Sequence, residues 1–70
     1  MIGVGVVGCG YWGPNLVRNF SEAPGARVVS VSDLRRERLT LVEGRYPAVK
    51  VTIDHREVIE DPSVVNIVTS

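Results

Sequence analysis

The sequence predicts an α/β fold, with helices on both faces of a doubly wound parallel sheet. Two observations carry that reading. Short runs rich in β-branched residues alternate with stretches of helical period, in the order β-α-β-α-β-α-β. Proline and glycine stand at the changeovers, as in Pro24-Gly25, Tyr46-Pro47 and Asp61-Pro62. Elements of these lengths require right-handed crossovers, and a doubly wound winding then orders the strands 3-2-1-4.

Each element has its own signal. Ile2, Val4, Val6 and Val7 form a nearly uncharged run, as expected of a central strand buried on both faces. From Trp12 the apolar positions become Trp12, Leu16, Val17 and Phe20, one face of a helix. Pro14 falls in its first turn, where a missing N–H costs nothing, and Pro24-Gly25 ends it. ARVVSVS, residues 26–32, reads as a second strand that stops at Asp33. Leu39, Val42 and Tyr46 mark a second helix closed by Pro47, with a last turn weakened by Gly44. Val49, Val51 and Ile53 alternate and predict a third strand over residues 48–53. Asp54 and Glu57 have capping-box spacing for a short third helix, which Asp61-Pro62 breaks. Residues 64–69 form a fourth apolar run.

The bulk composition excludes several classes. Net charge is 0 over 70 residues, with 44% hydrophobic and 23% charged, so nothing points to nucleic acid or an anionic membrane. The N-terminal apolar run is too short to span a bilayer and lacks the basic flank of a signal peptide. Cys9 is the only cysteine and His55 the only histidine. An intrachain disulfide is therefore impossible and no zinc cluster exists; His55 is expected on the surface. A cytoplasmic location is expected. A chain this short buries only about 60% of its unfolded surface. Residues 1–70 are accordingly expected to be the N-terminal part of a larger domain, folding alone weakly or not at all.

The glycine cluster MIGVGVVGCGYWG fits G-x-G-x-x-G twice, as Gly3-Gly5-Gly8 and as Gly8-Gly10-Gly13. A phosphate-binding turn needs a strand before its first glycine and a helix opening at its third. The first triplet lies inside the strand and is expected to mark thin places where a helix packs closely. The second meets both conditions. Gly8 would permit the turn, Gly10 would let the backbone approach a pyrophosphate, and Gly13 would bring the helix close to the strand. The N–H groups of Tyr11, Trp12 and the first helical turn would face the phosphates, aided by the helix dipole. Asp33 follows Gly13 by 20 residues at the end of the second strand, where a carboxylate accepts from adenosine ribose hydroxyls.

That carboxylate favours NAD over NADP, although Arg35 and Arg36 follow immediately after Leu34. Leu34 goes with Asp33 as a cofactor-side position. Thr69 and Ser70 end the fourth strand beside the first, within reach of a ribose or phosphate. Cys9 fills only a variable position of the fingerprint and has no general base nearby. S-adenosylmethionine binding also uses a glycine turn and a strand-2 acid, but the complete fingerprint and the absence of an acid in strand 1 argue against it.

The stretches GVVGCGYWGPNLVRNF, VVSVSDLRRERL and RYPAVKVTIDHREVIEDPSVVNIVTS together resemble the N-terminal Rossmann half of the Gfo/Idh/MocA oxidoreductases. G-Y-W-G-P-N-L-x-R-N-F is most similar to members that oxidise UDP-linked N-acetyl amino sugars at C3. The resemblance implies an NAD(P)-dependent dehydrogenase acting on a sugar or sugar nucleotide, with a C-terminal α/β domain and a homo-oligomeric full-length form. It implies that Gly8, Gly10, Tyr11, Trp12 and Gly13 line the pyrophosphate and that Asp33 takes the ribose. Arg38 matches an arginine usual in that helix, and Thr69 a strand-end threonine; Ser70 stands where the family usually has proline. The family's catalytic lysine, in a Glu-Lys-Pro motif, has no counterpart here, since Lys50 lies in PAVKVT. No catalytic residue is carried over. The other function class left open is a non-catalytic nucleotide-binding module.

Overall fold

The computed structural model describes residues 2–8 and 13–69. They form the expected seven elements: β1 (Ile2–Val7), α1 (Gly13–Glu22), β2 (Ala26–Ser32), α2 (Arg36–Arg45), β3 (Lys50–Thr52), α3 (His55–Glu60) and β4 (Asn66–Thr69). The four strands make one parallel sheet in the order β3-β2-β1-β4, as the crossover rule predicts.

The two faces of the sheet are built differently. Val6 of β1 and Val28 and Val31 of β2 pack with Val17 of α1 and with Leu39 and Val42 of α2. Side chains alternate along a strand, so Gly3 and Gly5 lie on the opposite face. There α3 and the loop after it cover them. A Cβ added to Gly5 would stand 2.5 Å from Val58 Cγ1 and 3.0 Å from Val64 Cγ1; one added to Gly3 would fall on the Ser63 carbonyl oxygen. Gly3 and Gly5 therefore serve close packing, as expected, whereas Gly8, the third glycine of that triplet, lies past the end of β1. Ser30, opposite Gly5 in β2, is also small and buried on this side. A register shift between Val4 and Gly5 puts Val29 out of step, so Val28 and Val31 both reach the α1/α2 face.

Chain reversals follow their turn residues. Ala23-Pro24-Gly25-Ala26 closes through Ala26 N–H to Ala23 C=O at 3.3 Å, with Gly25 at φ 80°. Proline second and glycine third is the type II pattern. Helix α2 runs through Gly44 to Arg45, and Tyr46 N–H donates to Val42 C=O at its end.

Two strand boundaries differ from expectation. Strand β3 begins at Lys50, not residue 48, and stops at Thr52. Val49 N–H turns back to Tyr46 C=O at 3.0 Å, so this valine is a buried part of the turn after Pro47. Strand β4 begins at Asn66, not residue 64. Val64 N–H goes to Asp61 C=O, and Val65 N–H reaches Gly3 C=O at 2.8 Å as the chain swings onto the sheet.

The cap of α3 also departs from the expected box. Asp54 is the N-cap, but its Oδ1 accepts from the N–H of Arg56 at 3.0 Å. Asp54 N–H donates to Thr52 Oγ1 at 3.1 Å, and Thr52 Oγ1 donates to Glu57 Oε2. A threonine hydroxyl thus stands between the two ends of the capping box, where a glutamate normally reaches the cap N–H directly. Arg56 closes a two-pronged ion pair on Asp54, with Nε and Nη2 each at 3.1 Å. Beyond the helix, Asp61 Oδ1 accepts from Ser63 N–H at 2.8 Å.

Gly5→Ala is expected to destabilise the intact protein by about 1–3 kcal/mol through overpacking against Val58. Gly44→Ala, whose Cβ would enter open space, should instead stabilise it by up to ~1 kcal/mol. Denaturant titration of the two variants measures both. The Asp54 carboxyl is held below its usual range chiefly by the Arg56 side chain, and that of Asp61 chiefly by the N–H of Ser63. A depressed folded pKa stabilises the fold above the unfolded value, and that contribution is lost as pH falls through the folded value. The caps of α3 should therefore hold at neutral pH and loosen below about pH 4. Backbone chemical shifts of residues 55–60 moving toward coil values only in that acid range would bear this out; Asp54→Asn should remove the Asp54 part of the change.

Candidate cofactor site

The strand ends form a single rim. Val7 pairs with Ser32 on one side and Thr69 on the other, and Ser32 pairs with Thr52. The C-terminal ends therefore stand in the order Thr52, Ser32, Val7, Thr69. Two main-chain bonds carry the ladder one residue further. Gly8 N–H donates to Ser32 C=O at 2.9 Å, and Asp33 N–H to Thr52 C=O at 3.1 Å.

Gly8 leaves β1 at φ 83°, a left-handed conformation that side-chain-bearing residues rarely adopt. A phosphate loop would require this backbone freedom of its first glycine. Helix α1 opens at Gly13, with no acidic side chain in its first turn to oppose an anion. Because α1 and α2 cover one face and α3 the other, the crossover direction reverses at β1. In open α/β sheets, ligands lie in the crevice beyond the strand ends at such a reversal.

Asp33 stands one strand over from Gly8 and is half-buried. Its Oδ1 accepts from the N–H of Arg35 at 2.7 Å, which orients the carboxylate. Among the described residues its Oδ2 takes no hydrogen bond. The N-cap of α2 is Arg35, without a side-chain cap bond, so Asp33 is not that helix's capping residue. Leu34 projects outward and is 89% exposed. Arg38 lies half-buried in the first turn of α2, and Arg35 and Arg36 are exposed. Thr69 is exposed at the end of β4, beside Val7. Gly8, Asp33, Leu34 and Thr69 thus lie along one edge of the sheet, with Arg38 in the first turn of α2, while Gly13 opens α1. Cys9, Gly10, Tyr11, Trp12 and Ser70 lie outside the described residues. His55 is exposed at the first position of α3, as expected.

Thr52 carries no functional motif of its own in the sequence. It touches Asp33 through its carbonyl and α3 through its hydroxyl. The available signal was Thr-x-Asp-x-x-Glu at a strand-to-helix junction, a capping box preceded by a hydroxyl.

Among the described residues, no group of His, Cys, Asp or Glu is arranged to hold a metal ion, and no helix is long and apolar enough to cross a membrane.

The chain matches the model of an oxidoreductase family with an NAD-binding Rossmann fold, Gfo/Idh/MocA, over residues 2–70. No curated protein matches it. Among solved structures, it is 29% identical to a probable dehydrogenase from Thermotoga maritima, with a TM-score of 0.88, over 97% of this chain and 20% of that one. Myo-inositol dehydrogenase from Lactobacillus casei, solved with NAD(H) and myo-inositol, is 25% identical with a TM-score of 0.89, over 100% of this chain and 21% of that one. An Agrobacterium radiobacter oxidoreductase, solved with NAD+, L-tartaric acid and magnesium, shares the fold at 19% identity and a TM-score of 0.85, over 99% of this chain and 20% of that one. The chain therefore spans about a fifth of the length of these structures. With its glycine turn, its reversal at β1 and a family match running through residues 2–70, the chain belongs to the Gfo/Idh/MocA oxidoreductases, whose NAD-binding domain is a Rossmann fold.

Proposed function

We propose that residues 1–70 form the N-terminal, adenosine- and pyrophosphate-binding part of an NAD-dependent dehydrogenase that oxidises a hydroxyl of a sugar or sugar nucleotide. The observation that carries the reading is the pair Gly8 and Asp33. A left-handed glycine ends the central strand, and an oriented carboxylate ends the next strand in the sheet. The N–H groups at the start of α1 receive the pyrophosphate, with Gly8, Gly10, Tyr11, Trp12 and Gly13 around it. Asp33 accepts from the adenosine ribose hydroxyls through the carboxylate that Arg35 N–H orients. Its charge opposes the 2′-phosphate of NADP, so NAD is the preferred cofactor. Leu34, Arg38, Thr69 and Ser70 complete the cofactor side.

When bound, NAD supplies the hydride acceptor. This chain's residues bind and orient the cofactor's adenosine half. The lysine that assists proton removal from the substrate hydroxyl, and the contacts that select the substrate, belong to parts of the protein outside these 70 residues. The sugar class rests on the G-Y-W-G-P-N-L-x-R-N-F resemblance to UDP-amino-sugar 3-dehydrogenases and is compatible with a structural relative solved with myo-inositol. Homo-oligomeric assembly follows from the same family reading, and a cytoplasmic location from the ordinary composition.

Isothermal calorimetry on the intact protein tests the cofactor assignment. NAD should bind and S-adenosylmethionine should not; the reverse result overturns the reading. Asp33→Ala should raise the Kd for NAD by at least about tenfold, the worth of hydrogen bonds to a charged acceptor. The same change should narrow the preference for NAD over NADP.

A further inference from the structure

We infer that Thr52 is a positioning residue for Asp33, and that the β3–α3 junction sets how tightly the adenosine ribose is held. This inference rests on the NAD reading above. Three observations lead to it. First, Asp33 lies beyond the end of β2, and its N–H is fixed to the neighbouring strand by the Thr52 carbonyl at 3.1 Å. Second, β3 is only three residues long and pairs with β2 through Ser30–Lys50, Val31–Val51 and Ser32–Thr52 alone. With only three paired positions, β3 has few ladder bonds of its own to locate its last carbonyl. Third, the Thr52 hydroxyl is tied into the cap of α3, accepting from Asp54 N–H at 3.1 Å and donating to Glu57.

Thr52 is therefore held from both sides. Its main chain meets the strand that ends in the ribose-binding acid, and its side chain meets a helix anchored on the opposite face of the sheet. Val58 of that helix is fully buried against Gly5 of β1. Removing the hydroxyl leaves Asp54 N–H and Glu57 without their shared partner. The end of β3 can then drift, and the Asp33 backbone drifts with it. The carboxylate keeps its local bond to Arg35 N–H and its charge, but its place relative to Gly8 becomes less defined.

The test is a double-mutant cycle on the intact protein, with NAD as the titrant and calorimetry as the readout. Thr52→Val should raise the Kd for NAD by about 3- to 10-fold, the worth of roughly one hydrogen bond. Thr52→Ser, which keeps the hydroxyl, should restore most of the loss. In an Asp33→Ala background, Thr52→Val should add little, because the residue through which it acts is gone. A merely structural role would lower Tm in Thr52→Val while leaving the Kd unchanged, or would give the same penalty with and without Asp33. Either result overturns the inference while wild-type NAD binding stands. Absence of NAD binding by the wild-type protein would overturn both it and the reading beneath it.

Discussion

Strand β1 carries valine toward one face of the sheet and glycine toward the other, and the depth at which each helix lies follows from that difference. On the valine side, Val6 meets α1 and α2 through a layer of interlocked aliphatic side chains. On the glycine side, α3 comes so close that even a methyl group on Gly5 would collide with Val58. Close-packed interiors transmit such differences because they hold little free volume. The six residues of α3 are too few for a helix to persist on its own strength. What fixes this helix is the buried Val58 contact at its middle and the hydrogen-bonded caps at its two ends.

The same strand sets the position of the candidate site. Right-handed crossovers send β2 and β3 to one side of β1 and β4 to the other, so helices change faces there. A crevice at the end of β1 is the geometric result, independent of what binds in it. What makes this particular crevice a candidate for a dinucleotide is chemistry at three strand ends: the left-handed Gly8, the oriented Asp33 and the exposed hydroxyl of Thr69. None of these residues would mark a site alone. Their common edge makes the group a candidate.

Element order, strand order and the packing role of Gly3 and Gly5 were legible in the sequence because each rests on a strong local signal: β-branched runs, turn residues, and side-chain period. The ends of β3 and β4 were not. Val49 and Val64 have strand propensity, yet their N–H groups turn back to Tyr46 and Asp61, and Val65 makes only the first bond to β1, at Gly3, before the paired strand begins at Asn66. Propensity and alternation do not record where a main-chain donor goes, and proline two residues before each stretch had already imposed a turn. Thr52 was missed for a related reason. Its role depends on touching a helix cap and the neighbouring strand at once, and only Asp54 and Glu57 were visible as a spacing.

The two overlapping matches to G-x-G-x-x-G show how much a fingerprint leaves unsaid. Gly3 and Gly5 lie in a strand with neighbours packed against them, and what their positions demand is small volume. Gly8, shared by both matches, carries a positive φ, and what its position demands is a backbone conformation. A pattern of residue types cannot separate these demands, since glycine satisfies either. The conformational one is what a phosphate turn would require of its first glycine; the steric one builds a sheet face on which a short helix can sit. Here both occur within one strand and the residue after it, and the second supports the first. By letting α3 lie close, Gly5 anchors the helix whose cap holds Thr52, and Thr52 in turn holds the acid across from Gly8.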